Sequence, residues 1–298
     1  MVIDKLEFLL ALAREGHFGR AAEACGVTQP TLSAGVKQLE GSFGVLLVNR
    51  GSRFQNFTPE GERVLEWARR IVGDSRAMRE EIHALKHGLS GRLRIAAIQT
   101  TLAMIETLTT LYRERHPEVQ FTVLSATAEE IFQRLENLEI DAGVSYLDQE
   151  PAGRITGIPL YRERYCLLTA ADAPLGNRNK VKWAEVAQIP LCLMTPDTQL
   201  RRVIDGLLRD AGGDPRPSLE SNSMIVLYSH VRTGRWASVM PFRLAATLGL
   251  TEVLRAIPIV EPDASHMIGL LVPSRQPMKP LTAALVAESR RAAQLLAD

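Results

Sequence analysis

The residues whose types and spacing best suit a chemical role lie in a short predicted helix near the N-terminus. The role that their side chains suit is hydrogen bonding. Within CGVTQPTLSAGVKQLEGSFG, from Cys25 to Gly44, Thr28 is suited to cap a helix and Pro30 falls in its first turn, where a missing N–H costs nothing. The apolar stripe of this helix leaves amide, hydroxyl and amino groups on the other face, where they can contact base edges and phosphates. The outward-facing residues are Gln29, Pro30, Ser33, Ala34 and Lys37.

The elements around this helix predict a winged helix-turn-helix over residues 1–58. Two earlier helix patterns precede it, and Gly26 supplies the turn, so the third helix would present its N-terminal half to the major groove. The segment VLLVNRGSRFQNFTPEG then predicts a strand, a basic turn and a second strand. Any small three-helix domain shows similar helix spacing, so a purely structural alternative stays open.

The charge of this region is nearly balanced, with 12 Lys and Arg residues against 11 Asp and Glu residues between Met1 and Gly88. DNA binding would therefore depend on where the basic residues stand and on having two copies of the domain. Arg50 and Arg53 are natural phosphate or minor-groove contacts, while Ala34 and Gly35 would let the backbone approach DNA closely. The predicted DNA-contacting residues are Arg20, Thr28, Gln29, Pro30, Thr31, Ser33, Lys37, Arg50 and Arg53.

Residues 59–89 predict one long linker helix with a heptad pattern, because apolar or small residues recur at alternating steps of four and three. The simplest partner for such a narrow face is the same helix in a second copy, so the segment predicts a dimerisation helix. The alternative is a long helix that lies on its own domain. The seam consists of Val64, Ala68, Ile71, Ser75, Met78, Ile82, Leu85 and Leu89.

Strand and helix patterns alternate from residue 90 to 298, which predicts an α/β domain of two lobes with parallel strands. Parallel sheets bind ligands beyond the carboxyl ends of their strands, next to helix N-termini. Hydroxyl and amide side chains stand at four such places, and helix capping is the structural alternative for each. These candidate effector-binding residues are Gln99, Thr100, Thr101, Thr127, Thr195, Ser221, Asn222 and Ser223.

Signals for an enzyme, a metal site or a membrane protein are absent from the sequence. There is no G-x-S-x-G, H-E-x-x-H, P-loop or dinucleotide motif, and the six histidines fall in unrelated segments. His83 and His87 are spaced as metal ligands can be, but they are more typical of a solvated helix. The three cysteines form no close pair, and no apolar run approaches the roughly 20 residues of a membrane span. We therefore expect a cytoplasmic protein with no catalytic residues, metal or cofactor.

From Phe18 to Gly61 the chain resembles the winged-helix signature of the LysR-type transcriptional regulators, nearly end to end. The resemblance continues through the linker to the C-terminus. It implies a regulatory domain similar to periplasmic binding proteins, with lobe I at about 92–161 and 267–298 and lobe II at about 162–266. The matching residues are Ala21, Ala22, Gln29, Pro30, Ser33, Leu39, Glu40, Gly44, Leu46, Arg50, Thr58 and Gly61.

The resemblance implies a homodimer or homotetramer that binds double-stranded promoter DNA under the control of a small effector between the lobes. Hydroxyls without an obvious arginine suit a small anion or a carboxylate. A solute-binding protein or an enzyme with a two-lobed domain is the alternative, but it leaves the first 89 residues unexplained. The positions that the resemblance implies for effector contacts are Thr100, Thr101, Thr127 and Thr195.

The chain departs from the family pattern at two places. Ala34 and Gly35 stand where members often carry arginine or a polar residue, which would weaken or redirect base contacts. Trp236 stands where members usually have a small residue. It is a further candidate for effector contact, because it would narrow the cleft, and packing at the surface or in the core is the alternative.

Overall fold

The computed structural model describes residues 2–50, 54–148, 155–249, 253–274 and 276–296. The chain divides into two compact units, and each is described by itself. The first contains residues 1–89 with the short segments 136–139 and 275–280, and the second contains the remainder. Among the described residues, no helix combines the length and the hydropathy that a membrane span requires.

Four helices and a two-stranded wing make up the first unit. The helices α1, α2 and α3 pack around a core that includes Leu9, Leu12 and Leu32. Thr28 caps α3 and Pro30 lies in its first turn, so the proline begins the helix and does not break it. The elements are α1 (Val2–Glu15), α2 (Phe18–Ala24), α3 (Gln29–Phe43), β1 (Val48–Arg50), β2 (Phe54–Phe57) and α4 (Pro59–His87).

Two buried polar side chains fix the wing to the helices. Glu40 of α3 accepts hydrogen bonds from the N–H groups of Leu47 and Val48, at 3.1 and 3.3 Å. Thr58 donates to the carbonyl of Leu46 at 2.6 Å and caps α4 by accepting from the N–H of Gly61. A Cβ on Gly61 would collide with the carbonyl of Leu47, so the start of α4 can approach the wing only with glycine there.

The helix α4 uses its two ends differently. Its first half lies on its own domain, because Leu65, Ala68 and Val72 are buried in the core formed by α1, α2 and α3, and Val64 packs against that core. The prediction that Val64 and Ala68 contact a second copy is therefore corrected, because both pack within their own domain. Of the other seam residues, Ser75 is buried and Leu89 is half-buried. The exposed ones are Ile71 at 42%, Met78 at 59%, Ile82 at 51% and Leu85 at 78%.

The second unit is built on one eight-stranded sheet and a two-stranded sheet of β8 and β9. The order in the large sheet is β4-β3-β5-β12-β6-β11-β7, and β10 also pairs with β6. The strands are β3 (Gly91–Ala97), β4 (Val119–Ser125), β5 (Ala142–Tyr146), β6 (Ile155–Ala170), β7 (Val181–Lys182), β8 (Cys192–Met194), β9 (Leu219–Ser221), β10 (Ser238–Pro241), β11 (Leu254–Val260) and β12 (Ser265–Pro273).

A 3₁₀ helix and several α-helices connect the strands of the second unit. Strands β3 and β4 and strands β3 and β5 pair in parallel, as the alternating pattern requires. A 3₁₀ helix over Gln99–Met104 follows β3. The α-helices are α5 (Ile105–Arg115), α6 (Ala128–Glu136), α7 (Trp183–Val186), α8 (Gln199–Asp210), α9 (Met224–Val231), α10 (Phe242–Thr247) and α11 (Pro280–Leu296).

The strand β6 belongs to two lobes. Its residues 155–164 pair with β12, and its residues 165–170 pair with β10 and β11. The second lobe has its own core, which includes Trp183, Leu193 and Leu227. The boundary between the lobes thus falls inside a strand, near the point where the pairing partners of β6 change.

Candidate functional site

The N-terminal half of α3 presents a polar surface in the first unit. Gln29, Pro30, Thr31 and Lys37 are exposed and Ser33 is half-buried. Thr28 and Thr31 are tied together, because the Thr28 hydroxyl accepts from the N–H of Thr31 and lies 2.9 Å from its hydroxyl. The cap therefore fixes the start of α3 and leaves an amide, a hydroxyl and an ammonium group free to reach DNA.

The basic residues predicted to contact DNA beside this surface differ in their surroundings. The side chain of Arg20 is exposed, but its guanidinium donates to the carbonyl of Glu15 and its Nε lies 3.8 Å from the Glu15 carboxylate. The backbone of Arg50 pairs across the wing with Phe54. The Arg50 side chain and the whole of Arg53 lie outside the described residues.

Gly35 serves the packing of α3 and does not form part of the polar surface. It is buried, and a Cβ on this residue would come within 2.7 Å of a ring carbon of Phe8 on α1. The interpretation of Gly35 as a place for close DNA approach is therefore corrected, since its lack of a side chain lets α1 and α3 meet. Ala34 is exposed, as predicted for that face.

A cavity of about 260 Å³ lies in the second unit, where β3, β4, β8 and β9 end. The 3₁₀ helix after β3 lies beside it, and the N-termini of α6 and α8 reach it with residues such as Ala128 and Gln199. The lining residues are Ile98, Gln99, Thr100, Ser125, Ala126, Thr127, Ala128, Glu130, Tyr146, Met194, Asp197, Thr198, Gln199, Leu200 and Asn222.

Thr100 contributes a buried hydroxyl to the lining of this cavity. The residue is only 4% exposed, and its Oγ1 makes no hydrogen bond within the described part of the chain. A buried hydroxyl without a partner costs about 1–3 kcal/mol, so a bound molecule that hydrogen-bonds to it recovers that energy. Gln99 and Asn222 add amide groups to the same lining.

At the N-termini of α6 and α8, side-chain caps bind some of the first-turn N–H groups and leave others free to bind a ligand. Thr127 and Glu130 form a reciprocal pair, in which each side chain accepts from the backbone N–H of the other. Thr198 accepts from the N–H of Arg201 and donates to the carbonyl of Thr195. The cap-bound amides are satisfied, and the remaining N–H groups of each first turn give the cavity a positive potential.

Five predicted effector-binding residues do not line the cavity, namely Thr101, Thr195, Ser221, Ser223 and Trp236. Thr101 is fully buried and donates to the carbonyl of Ile98. The Ser221 hydroxyl accepts from the N–H of Ser223, and the buried hydroxyl of Thr195 makes no hydrogen bond within the described residues. Trp236 packs on the second-lobe core, with its ring 5.4 Å from that of His230.

Several lining residues were missed by the sequence reasoning. Tyr146 ends β5, and its hydroxyl donates to the buried carboxylate of Glu163 at 2.8 Å. Burial raises the pKa of Tyr146 well above its ordinary value. Asp197 and Gln199 flank the Thr198 cap, and the cap before a predicted helix is the sequence signal that could have identified them. The charged side chains in the lining are Asp197 and Glu130, both acidic.

The three cysteines do not contribute to the cavity. Cys166 is buried in the second-lobe core, and burial raises its pKa well above the ordinary value. Burial also raises the pKa of Cys192 to about 11, and its thiol donates to the carbonyls of Ala237 and Leu227. Cys25 in the first unit is half-buried, and burial is the main cause that raises its pKa.

A winged helix-turn-helix joined by a long helix to a two-lobed α/β domain defines a DNA-binding regulator with a ligand-binding domain. Two family models match this arrangement. The model described as a bacterial regulatory helix-turn-helix protein of the lysR family matches residues 3–62, and the LysR substrate binding domain matches residues 86–294. The chain belongs to the LysR family of transcriptional regulators.

Individual relatives agree with this assignment along nearly the whole chain. The DNA-binding transcriptional dual regulator OxyR of Escherichia coli (strain K12) is 28% identical over 280 residues, which cover 94% of this chain and 92% of that protein. A full-length OxyR variant from Pseudomonas aeruginosa superposes with a TM-score of 0.78 at 26% identity, covering 97% of this chain and 95% of the other.

A second structural neighbour is CbnR, described as a LysR family transcriptional regulator, with a TM-score of 0.63, 22% identity and coverage of 98% of this chain and 99% of that one. At that identity the likeness shows the fold. The family and its relatives make this chain a DNA-binding transcriptional regulator and not an enzyme. They do not favour the alternative of a solute-binding protein.

Proposed function

We propose that this regulator binds promoter DNA as a dimer or tetramer and that a small molecule with a single carboxylate controls it from the 260 Å³ cavity. The observation that carries the proposal is the buried, unpartnered hydroxyl of Thr100 in the cavity lining. An empty site would leave that hydroxyl unsatisfied except by water, whereas a ligand oxygen completes it.

The size and the polar groups of the cavity set the class of ligand. Ligand pockets for drug-sized molecules enclose about 300–1,000 Å³, so this cavity suits a molecule smaller than those. The open N–H groups at the starts of α6 and α8 favour negative charge, and Gln99 and Asn222 supply amide donors.

The charges of the lining limit the ligand to one negative charge. Asp197 and Glu130 are acidic, and the carboxylate of Glu130 already accepts from the N–H of Thr127. No lysine, arginine or histidine is among the lining residues in the described structure. A dianion would therefore meet repulsion with no opposing cation, whereas the helix N-termini can hold a monocarboxylate.

We infer that this protein does not respond to peroxide through its thiols, although several relatives carry the name hydrogen peroxide-inducible genes activator. Peroxide oxidises thiolates that are accessible and have a low pKa. Cys166 and Cys192 are buried with raised pKa values, and neither lines the cavity. The effector would thus act by reversible binding.

Calorimetry of the purified protein tests the ligand class. We expect small monocarboxylates to bind and their methyl esters to bind at least tenfold more weakly, because the ester loses the charge that the helix N-termini favour. Thr100→Val should weaken the binding of the best carboxylate about fivefold to tenfold, as expected for one lost hydrogen bond.

Thr110→Val is the matched control, since Thr110 is exposed on α5 and its hydroxyl donates to Glu106 outside the cavity. It should leave carboxylate binding unchanged. Equal affinities for acids and esters, or full affinity in Thr100→Val, would contradict the proposed site.

A further inference from the structure

Arg201 in the first turn of α8 is a buried arginine, and it does not line the 260 Å³ cavity. Its side chain is 6% exposed. A guanidinium carries N–H donors and no acceptor, and a buried charge without partners is strongly unfavourable. The groups that its donors reach therefore indicate what the residue does.

The guanidinium of Arg201 makes short hydrogen bonds to three different segments of the second lobe. Its Nη1 donates to the carbonyl of Met194 at 2.7 Å and to Oε1 of Glu220 at 2.6 Å. Its Nε donates to Oδ1 of Asp205 at 2.7 Å. Met194 ends β8, Glu220 lies in β9, and Asp205 lies one turn further along α8. One side chain thus joins β8, β9 and α8.

The same three segments carry the lining residues that the second lobe contributes to the cavity. Met194 is the last residue of β8, and Asn222 directly follows β9. Residues 197–200 form the cap and the start of α8. The backbone N–H of Arg201 also donates to the hydroxyl of Thr198 at 3.3 Å, so the residue takes part in that cap too.

The backbone pairing between β8 and β9 is short. The two strands pair in parallel over three residues each, and the last pair is Met194 with Ser221. A two-stranded sheet of this size is marginal without further support. Arg201 supports it at this end, because its guanidinium binds the carbonyl of Met194 and the carboxylate of Glu220 at once. The position of Asn222 relative to Met194 therefore depends on Arg201.

The shape of the guanidinium explains why the residue is arginine. Its donors are fixed in one plane, so their directions set the positions of all three acceptors. Lysine would keep the charge and lose this fixed geometry. Stability alone does not require the charge, since well-packed apolar residues often replace a buried ion pair at little cost. An apolar residue could not hold the three segments in one arrangement.

We propose that Arg201 is a positioning residue for effector binding, which holds the end of β8, the start of α8 and Asn222 in one arrangement around the ligand. The inference rests on the proposed function, because it assigns a role at the carboxylate site. Arg201 acts through the groups that it holds and does not contact the ligand. A carboxylate that bridges the α8 N–H groups and the Asn222 amide needs both in place, whereas a neutral ligand gains less from the helix N-terminus.

Calorimetry with acetate, propionate and lactate, each beside its methyl ester, tests the role of Arg201. We expect Arg201→Lys to weaken the binding of the acids about tenfold and that of the esters less than about twofold, because lost hydrogen bonds misplace the α8 N–H groups. The preference for acids over esters therefore falls. A role in stability alone would lower the melting temperature and leave this preference unchanged.

Glu288→Gln is the matched control in the same unit. Glu288 is also buried, and it pairs with Arg115 and Arg291 at 2.9 and 3.1 Å, outside the cavity lining. The substitution disturbs a buried ionic network of the same kind, and it should leave the affinities for acids and esters unchanged.

Glu220→Ala is a second variant, and it is compatible with folding because the Glu220 side chain is 41% exposed. It releases β9 from Arg201 and should weaken acid binding about threefold, as expected for one lost hydrogen bond. Unchanged acid affinity in Arg201→Lys, or in Glu220→Ala where the lysine variant does not fold, would overturn the role of Arg201. An equal loss for acids and esters would overturn it too.

The Thr100→Val variant distinguishes failure of this inference from failure of the proposed function. If Thr100→Val weakens acid binding and the Arg201 variant does not, the carboxylate site stands and the role of Arg201 is overturned. If none of the acids binds to the wild-type protein, the proposed function is overturned and this inference with it.

Discussion

At the scale of single residues, the surroundings of the three cysteines bear on whether this protein reacts with peroxide. Thiol reactivity toward peroxide follows the fraction of thiolate, which falls when a thiol is buried in apolar surroundings. All three cysteines lie in the described residues, and each has a raised pKa with burial as the largest cause. The local environment of each thiol, and not the number of cysteines, therefore determines its reactivity toward peroxide.

We predict that hydrogen peroxide in molar excess leaves the three thiols reduced. Thiol titration after unfolding, together with intact mass, measures the outcome, and glutathione in the same solution serves as a control that the peroxide is active. Promoter affinity should be the same before and after treatment. A disulfide, an added oxygen on cysteine or a changed affinity would show that at least one thiol becomes accessible in solution.

At the scale of single elements, the helix α4 combines two functions. Its first half completes the core of the winged helix through Leu65, Ala68 and Val72. Its second half leaves Met78, Ile82 and Leu85 exposed at heptad spacing. A row of this kind is typical of a helix that pairs with another copy, because large apolar side chains in one line are costly to leave in water.

We predict that Ile71→Glu combined with Ile82→Glu converts the dimer into a monomer, because it places four carboxylates in one paired interface. Sedimentation velocity measures the result. His83→Glu combined with His87→Glu adds the same charge at exposed positions outside the seam and should leave the dimer intact. An unchanged dimer in the seam variant would show that the copies associate through another surface.

Sequence reasoning succeeded where local rules decide the structure. The cap at Thr28 and Pro30 depends on neighbouring residues, and so does the alternation of strands and helices in the second unit. Sequence reasoning misinterpreted Gly35, because Phe8, the residue for which Gly35 leaves room, lies on another helix. It also could not separate Thr100 from Thr101, because which hydroxyl faces the cavity depends on a 3₁₀ helix that spacing does not reveal.

At the scale of the whole molecule, control of transcription requires that ligand and DNA affinities be linked. A ligand changes DNA binding only if it prefers one arrangement of the chain over another, and the linkage is reciprocal. The 260 Å³ cavity is lined by residues of both lobes, such as Thr100 and Met194, so a ligand bound there contacts both. We propose that such a preference acts on DNA through the polar surface at the start of α3.

The most direct test of the account is the affinity for DNA from immediately upstream of the gene, measured by fluorescence anisotropy at several salt concentrations beside a scrambled duplex. We predict specific binding that falls with salt and is lost in Gln29→Ala combined with Ser33→Ala. Gln38→Ala combined with Ser42→Ala changes the same residue types about 180° around α3 and should retain specificity. Equal affinity for both duplexes, or specificity retained in the Gln29 and Ser33 variant, would contradict the assignment of this surface.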